Sequence, residues 1–303
     1  MLPALRAAFG ERLQENVTLA PFTSARIGGP ADALITVKSA DELAETTARL
    51  WGMNVPCFIL GGGSNVLVSD RGVRGVVVLN RAKEVRFENG DRPKVWAEAG
   101  AVFSNLAHRC ASQGLAGLEW AVAIPGTVGG AVYGNAGAFD GDVAGNLVYA
   151  DLLTERGRDR WPVEKMEYGY RASALKRGAH QAVVLSAEFS LKNATIEEVS
   201  VKIEQFTQRR KATQPPGASM GSMFKNPPGD FAGRLIEAAG LKGARVGNAE
   251  ISTVHGNFFV NRGDTKASDI RMLIEQAQRT VAEKLGVRLE LEVELIGDWE
   301  ERK

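Results

Sequence analysis

Cysteine is scarce in this chain of 303 residues, which contains only two. Cys57 and Cys110 lie in apolar surroundings, and neither belongs to a C-x-x-C pair. Paired cysteines are what structural metal sites and disulfide frameworks require. We therefore expect two buried free thiols and no bound metal.

Net charge and long apolar runs are also lacking. The 37 basic residues nearly balance the 36 acidic residues, and no basic stripe indicates a nucleic-acid partner. An anionic ligand would have to be met by local arginines and lysines. No apolar run approaches the ~18 residues of a membrane span, and no N-terminal apolar h-region is visible. We expect a cytoplasmic monomer with no membrane insertion.

Glycine is abundant, with 34 residues, and it is concentrated in residues 60–68 and 123–138. Without a Cβ, glycine lets backbone N–H groups approach a ligand and tolerates positive φ. Either segment alone is equally well explained as a tight turn. As a pair, each following an apolar strand-like run, they favour a large ligand whose diphosphate is held by main-chain amides.

The two segments exclude the commonest nucleotide motifs. Neither reads G-x-x-x-x-G-K-[ST], and neither reads G-x-G-x-x-G between a strand and a helix, so a P-loop and a Rossmann unit are both disfavoured. The remaining fit is a flavin dinucleotide held by two glycine loops in an α+β domain.

Capping boxes and apolar periodicity predict the main elements. Ser39 and Glu42 open a helix that ends at Gly52, and Thr195 and Glu198 open another that ends before Pro215. The second helix is predicted to turn Ile196, Val199, Ile203 and Phe206 inward. Further helices are predicted at 103–113, 231–239 and 268–285, the last with the stripe Ile270, Leu273, Ile274, Ala277 and Val281. Strands are predicted at 56–60, 75–79, 95–99, 147–154, 183–191, 258–261 and 289–296.

The helix that follows Thr195 is the best domain boundary. It predicts an FAD-binding domain over residues 1–195, with two subdomains that divide near residue 80. A smaller substrate-binding domain would then cover residues 196–303.

An ordered series of motifs resembles the UDP-N-acetylenolpyruvoylglucosamine reductase family, whose members are also called UDP-N-acetylmuramate dehydrogenases. The resemblance runs from about residue 23 to about residue 297. Its motifs are GGGSN at 61–65, IPGTVGG at 124–130, NAGA at 135–138, YRAS at 170–173, GSMFKNP at 221–227 and LELEV at 289–293.

The resemblance implies a fold of the vanillyl-alcohol-oxidase type. Two α+β subdomains surround non-covalent FAD, and an α/β substrate-binding domain follows. The implied reaction uses NADPH and FAD to reduce the enolpyruvyl group of UDP-N-acetylglucosamine enolpyruvate, giving UDP-N-acetylmuramate for peptidoglycan synthesis. The implied cofactor-binding residues are Gly61, Gly62, Gly63, Ser64, Asn65, Gly126, Thr127, Gly129, Gly130, Asn135, Ala136 and Gly137.

The resemblance also implies three catalytic residues. Arg171 would bind the enolpyruvyl carboxylate, because a guanidinium is always charged and grips a carboxylate bidentately. Ser222 would donate the proton to C2, although without the resemblance a turn serine would be the favoured interpretation. Glu292 would act as an acid or hydrogen-bond donor at the same carboxylate. Alternation places Glu290 and Glu294 on its strand face, and only the motif position distinguishes Glu292.

The substrate contacts that the resemblance implies are Arg210 at the diphosphate, Lys225, Asn226 and His255. A structural histidine is an equal alternative for His255. The family usually has lysine three residues after Arg210, where this chain has Thr213, so either Lys211 substitutes or the contact is weaker. Only residues 175–181 separate the arginine motif from the next strand. The chain therefore resembles the shorter of two family types, which lacks a tyrosine-bearing insertion.

Two other functions compete with this reading. A flavin oxidase of the same superfamily often anchors FAD through histidine or cysteine, and neither glycine segment contains either residue. A non-catalytic module that binds a UDP-sugar or a flavin would not need Arg171, Ser222 and Glu292 together.

Overall fold

The computed structural model describes residues 1–178 and 181–299. Residues 179 and 180, in the short connection after the arginine motif, lie outside the described residues, as do 300–303. The described part contains seven α-helices: Leu2–Phe9 (α1), Ala40–Gly52 (α2), Phe103–Ala111 (α3), Val128–Gly134 (α4), Ile196–Thr213 (α5), Ala232–Ala238 (α6) and Ala267–Leu285 (α7).

Strands alternate with these helices along the chain. Numbered in order, they are Leu13–Thr18 (β1), Pro30–Val37 (β2), Cys57–Leu60 (β3), Val66–Val68 (β4), Val73–Asn80 (β5), Val85–Glu88 (β6), Lys94–Glu98 (β7), Leu115–Ala116 (β8), Gly137–Ala138 (β9), Gly141–Asp142 (β10), Leu147–Thr154 (β11), Gly157–Pro162 (β12), Ala182–Ser190 (β13), Lys192–Asn193 (β14), Ala218–Ser222 (β15), Arg245–Val246 (β16), Ala249–Ile251 (β17), Phe258–Asn261 (β18) and Glu294–Ile296 (β19).

Three larger sheets organise these strands. Their orders are β1-β2-β5-β3, β12-β11-β13-β7-β6 and β15-β18-β17-β16. The second and third are built from antiparallel pairs, whereas β4 and β19 pair in parallel. Helices and mixed strand pairings together are what the predicted α+β class requires.

The chain divides into two compact units. The first consists of Met1, residues 35–62 and residues 77–210. Its core lies between β7 and β13 of the five-stranded sheet and helices α3 and α4, with Phe103 packed edge-on against Trp120 at a centroid distance of 5.5 Å.

The second unit consists of residues 2–34, residues 63–76 and the chain from Lys211. Its core joins helices α6 and α7 to β17 and β18. Phe224 and Phe259 are fully buried there, with ring centroids 6.0 Å apart.

The predicted caps and the apolar stripe of α7 are confirmed. The Ser39 hydroxyl accepts from the Glu42 N–H at 3.1 Å, and Thr195 and Glu198 form a reciprocal box at the start of α5. All five predicted stripe residues of α7 are buried. The strands at 147–154 and 258–261 match their predicted bounds.

Two predictions need correction. Ile196 is 56% exposed, so it does not face inward. The reason is that the contact of α5 with Ala111 begins one turn later, at Val199. The strand predicted at 289–296 is regular only from Glu294 to Ile296. Before that the chain runs alongside residues 223–225 through an isolated bridge between Phe224 and Leu291.

Candidate functional site

The second glycine segment folds into the short helix α4. Thr127 precedes it in an extended conformation, and the amides of Val128 and Gly129 donate to the carbonyls of Ala101 at 2.9 Å and Ala99 at 2.8 Å. A Cβ at Gly129 would lie 2.9 Å from the Ala99 Cβ. Packing against Ala99 therefore explains why position 129 is a glycine. The Gly129 amide is already hydrogen-bonded to the Ala99 carbonyl.

Gly130 and Gly134, unlike Gly129, are not explained by packing against neighbouring residues. They are four residues apart in α4 and so lie on one face of the helix. A Cβ at Gly134 would have nothing within 4 Å, and one at Gly130 would meet only the Thr127 hydroxyl oxygen, at 3.9 Å. This strip of bare backbone is a surface that a ligand can approach closely, which is the property that a diphosphate cofactor requires.

The two glycine segments contact each other. A Cβ at Gly62 would lie 2.9 Å from the Gly126 Cα, and one at Gly61 would overlap the Thr127 hydroxyl. The Arg81 guanidinium donates to the Gly61 carbonyl at 2.9 Å. The Gly126 backbone thus explains why glycine occupies position 62, and the Thr127 side chain explains why glycine occupies position 61.

The first glycine segment continues into contacts with the C-terminal part of the chain. The Asn65 side-chain amide donates to the Glu292 carbonyl at 3.1 Å, and the Glu294 N–H donates to the Asn65 carbonyl at 3.0 Å. Gly63, at φ +58°, accepts from the Ser24 N–H at 3.0 Å, and Ser64 beside it is half-buried. Asn65, predicted at the cofactor, thereby also fixes the main chain at Glu292.

The arginine motif is tied to α4 by side chains. The Tyr168 hydroxyl donates to the Val132 carbonyl at 2.8 Å, and the Ser173 hydroxyl donates to the Tyr133 carbonyl at 2.6 Å. Both bonds satisfy carbonyls near the helix C-terminus. Burial raises the pKa of the Tyr168 phenol, so this hydroxyl keeps its proton.

Arg171 lies between these two anchors. Its backbone is left-handed, at φ +54°, and its guanidinium donates to the Gly137 carbonyl at 2.8 Å. Asn135 ends α4 in a left-handed conformation and donates to the Gly169 carbonyl at 3.0 Å; Ala136 beside it is half-buried. Hydrogen bonds therefore join the glycine segment to the arginine motif, although the bonded residues Asn135 and Gly169 are 34 positions apart in sequence.

Arg210 lies near the end of α5. Burial lowers the pKa of its half-buried guanidinium, and no carboxylate among the described residues lies within ion-pair distance of it. A half-buried arginine with no carboxylate beside it suits an anionic ligand. Lys211 and Thr213 are both exposed.

Ser222 ends β15, where it pairs with Phe258 of β18. The next residue, Met223, accepts from the Glu292 N–H at 2.9 Å. Ser222 and Glu292 are both half-buried. The fold therefore brings these two predicted catalytic residues together, although 69 residues separate them in sequence.

Lys225 and Asn226 follow on the same turn. The Lys225 ammonium lies 3.4 Å from the exposed Glu290 carboxylate. The Asn226 side-chain oxygen accepts from the Ala232 N–H at 3.1 Å, in the first turn of α6. Glu290 is thus occupied with a surface ion pair, whereas Glu292 lies beside Met223.

His255 accepts a hydrogen bond at Nδ1 from the Asn257 N–H, at 3.1 Å. Burial lowers the pKa of the imidazole, and nearby Lys242 lowers it further. A neutral ring with Nδ1 as acceptor carries its proton on Nε2. These contacts support a structural role for His255. Its contact with substrate stays a prediction.

The buried Asn257 was missed by sequence reasoning. It is 2% exposed and bonds to the Phe224 main chain through both ends of its carboxamide. Its place two residues after His255 carries no distinctive signal, because the partner backbone lies 33 residues away.

Two absences bear on the site. No helix in residues 1–178 and 181–299 is both long and apolar enough to cross a membrane. Across the same ranges, no cluster of three His, Cys, Asp or Glu side chains could hold a metal ion.

Comparison with known proteins assigns the chain to a family. Residues 212–296 match the model described as UDP-N-acetylenolpyruvoylglucosamine reductase, C-terminal domain, and residues 31–160 match an FAD binding domain. The UDP-N-acetylenolpyruvoylglucosamine reductase of Chloroflexus aggregans is 45% identical over 290 residues, which cover 94% of this chain and 97% of the relative. The enzyme of that name from Rubrobacter xylanophilus is 46% identical over 91% of this chain and 93% of its own.

The chain belongs to the UDP-N-acetylenolpyruvoylglucosamine reductase family. A crystal structure of the Thermus caldophilus reductase, 37% identical, superposes with a TM-score of 0.80 over 94% of this chain and 99% of that one. The predicted family and the α+β fold class are confirmed. The FAD binding domain match confirms the predicted cofactor.

The two family matches divide the site residues. The FAD-binding range contains both glycine segments, and the C-terminal range contains Ser222, Lys225, Asn226, His255 and Glu292. Arg171 and Arg210 lie between the two ranges, so their roles depend on the motifs and contacts described above.

Proposed function

We propose that this chain catalyses the NADPH-dependent reduction of UDP-N-acetylglucosamine enolpyruvate to UDP-N-acetylmuramate, a step in peptidoglycan precursor synthesis. Family membership over 94% of the chain supports the reaction class. The observation that carries the proposal is the main-chain hydrogen bond from Glu292 to Met223, the residue after Ser222, because this reduction needs a proton donor beside a carboxylate-binding group.

The glycine face of α4 fits the cofactor. Gly130 and Gly134 leave backbone bare where a Cβ would otherwise stand, and the Gly62–Gly126 contact continues the side-chain-free surface. We assign Gly61–Gly63, Ser64, Asn65, Gly126, Thr127, Gly129, Gly130 and residues 135–137 to this binding surface. These residues would hold FAD, which would supply the hydride transfer between NADPH and substrate that side chains cannot perform.

The chain's own residues stabilise the developing charge and supply a proton. When hydride reaches C3 of the enolpyruvyl group, negative charge develops at C2 and spreads to the carboxylate. Arg171 binds that carboxylate with its guanidinium, and Glu292, as a protonated acid, donates a hydrogen bond to it. Ser222 donates a proton to C2, so hydride and proton together saturate the double bond.

The remaining residues hold the sugar nucleotide. Arg210 meets the diphosphate, supported by the absence of a carboxylate partner for its half-buried guanidinium among the described residues. Lys225, Asn226 and His255 contact substrate or NADPH. We further propose that the enzyme is a cytoplasmic monomer, with an FAD-binding domain over 1–195 and a substrate-binding domain over 196–303.

The role of Ser222 is tested by separating the two half-reactions in stopped-flow absorbance. Ser222→Ala should reduce FAD with NADPH at nearly the parental rate. Reoxidation by the enolpyruvyl substrate should slow by roughly 10²- to 10⁴-fold, the range of general acid catalysis. Ser222→Cys should recover part of that loss, because a thiol also donates a proton.

The matched control is Ser219→Ala, a half-buried serine of the same strand that pairs with Val260. It should leave both half-reactions unchanged. An alanine variant at 222 that reoxidises at the parental rate would remove Ser222 from the mechanism and leave Lys225 or water as the donor.

The oxidase alternative predicts a covalent flavin. Acid denaturation of the purified protein should instead release all FAD into the supernatant, because neither glycine segment carries a histidine or cysteine. Flavin retained on the precipitated chain, or a flavin that oxygen reoxidises faster than the sugar nucleotide does, would favour the oxidase.

A further inference from the structure

Asn257 lies just before β18 and is almost completely buried, with 2% of its surface exposed. Its side-chain oxygen accepts from the Phe224 N–H at 2.9 Å, and its side-chain amide donates to the Phe224 carbonyl at 2.7 Å. Its main-chain carbonyl accepts from the Met223 N–H at 2.8 Å. One residue thus fixes the two residues that follow Ser222.

Residues 223–225 also anchor the segment that carries Glu292, through the isolated bridge between Phe224 and Leu291. The Glu292 N–H donates to the Met223 carbonyl, and the Lys225 N–H donates to the Glu290 carbonyl, both at 2.9 Å. Any shift of residues 223 and 224 would therefore move Ser222 and Glu292 relative to each other. Proton transfer to carbon depends steeply on such displacements.

We propose that Asn257 is a positioning residue whose carboxamide holds Ser222 and Glu292 in register without touching the substrate. The proposal rests on the proposed function. Among side chains of asparagine's shape, a carboxamide or a neutral carboxylic acid can accept from the Phe224 N–H and donate to its carbonyl at once, whereas leucine and an ionised carboxylate cannot. A leucine of similar volume fills the space but leaves both groups unpaired, and a carboxylate repels the carbonyl.

Because both hydrogen bonds are required, the reoxidation rate of one variant should depend on pH. In Asn257→Asp, burial beside a carbonyl raises the pKa of the introduced carboxyl group. Its protonated form restores both hydrogen bonds. Reoxidation by the enolpyruvyl substrate, relative to the parental enzyme at the same pH, should therefore rise as the pH falls from about 8 to about 5.5, across the range that a buried carboxyl group reaches.

Asn257→Leu should show no such gain. Its reoxidation should be slower by about 10-fold or more at every pH, while reduction by NADPH changes little, since misplacement by about 1 Å costs up to 10²-fold. Hydrogen exchange at the Phe224 and Met223 amides should accelerate in the leucine variant and recover at low pH in the aspartate variant.

The matched control is Asn261→Leu. Asn261 is the last residue of β18 and also uses both ends of its carboxamide, donating to the Ala25 carbonyl at 2.9 Å and accepting from the Gly263 N–H at 2.8 Å. It should lower the melting temperature but keep parental reoxidation. Equal slowing in the control, or parental reoxidation in Asn257→Leu, would overturn the positioning role.

The two proposals fail in different ways. If the parental enzyme itself is not reoxidised by the enolpyruvyl sugar nucleotide, the proposed function is wrong, and exchange at the Phe224 amide still tests what Asn257 holds. If the parental enzyme is active but the aspartate variant follows the parental pH profile, only the positioning role is wrong.

Discussion

Arg171 occupies a backbone conformation that few arginines adopt. A non-glycine residue at positive φ costs of order 1–3 kcal/mol and persists only where surrounding contacts hold it. Here the Ser173 and Tyr168 hydroxyls fix the loop on α4, and the guanidinium is aimed at the Gly137 carbonyl. These hydrogen bonds hold the strained backbone in place. They therefore also hold the guanidinium in the position that its proposed role at the substrate carboxylate requires.

Arg171→Lys keeps the charge but loses the planar fork. We expect reoxidation by substrate to slow by about 10²-fold or more, the scale of one lost transition-state donor, while flavin reduction by NADPH changes far less. Arg177→Lys is the control, because Arg177 is an exposed arginine six residues on that pairs with Glu167. Equal losses in both half-reactions would show that Arg171 acts structurally.

Gly130 is predicted to affect cofactor binding and helix stability in opposite directions. Alanine in place of a helical glycine stabilises by up to about 1 kcal/mol, and no protein atom obstructs it here. Unfolding of the apoprotein should therefore need more urea, while the FAD dissociation constant rises. Gly130→Leu should weaken FAD further, and unchanged affinity in that variant would remove α4's glycine face from the site.

At the scale of elements, α4 is the clearest case of a helix imposed by its surroundings. Its seven residues include three glycines, which disfavour helix. Its first two amides bond to carbonyls of residues 99 and 101, and its C-terminal carbonyls receive Tyr168 and Ser173. Sequence periodicity could not predict it, because every stabilising partner comes from elsewhere in the chain.

Asn135, which ends this helix, combines a left-handed backbone with three side-chain bonds. Its carboxamide accepts from the Ala144 N–H and donates to Asp142 and the Gly169 carbonyl. Asn135→Gly keeps the backbone but loses the bonds, and should cost about 1–3 kcal/mol of unfolding free energy. Asn135→Ala should cost about 1 kcal/mol more, and equal costs in urea titrations would contradict the backbone argument.

Helices α2, α5 and α7 are the opposite case. Their capping residues and apolar stripes lie within the elements themselves, so single-sequence reasoning found them with bounds close to those observed. Ile196 was the exception, since whether the first turn of a helix is covered depends on how far its partner extends.

For the whole molecule, His255 links pH to stability. Burial and Lys242 lower its pKa below 6.5, and a backbone hydrogen bond and Glu237 offset only part of this shift. The unfolded chain therefore binds a proton more readily than the folded protein. By linkage, stability falls as the pH drops through the region below about 6.5, and protonation also removes the Nδ1 acceptor for Asn257.

His255→Gln should flatten this part of the stability curve. We expect the parental urea midpoint to fall between about pH 7.5 and pH 5.5, a window set by the unperturbed histidine value, and the variant midpoint to fall less. His108→Gln, at an exposed position of α3, should retain the parental dependence. Identical curves for all three proteins would contradict a buried neutral His255.

The sequence by itself determined the family, the cofactor class, the long helices and the identity of the chemical groups. Each of these depends on local patterns, such as glycine spacing, capping boxes and the order of motifs. Tertiary structure alone decided which groups meet. The approach of Ser222 to Glu292, the bonds from residues 168–173 to α4, and the burial of Asn257 all join positions 30 or more residues apart. In each junction at least one partner is a backbone N–H or C=O group, and because every residue offers a backbone carbonyl, these partners leave no signature in the amino-acid sequence.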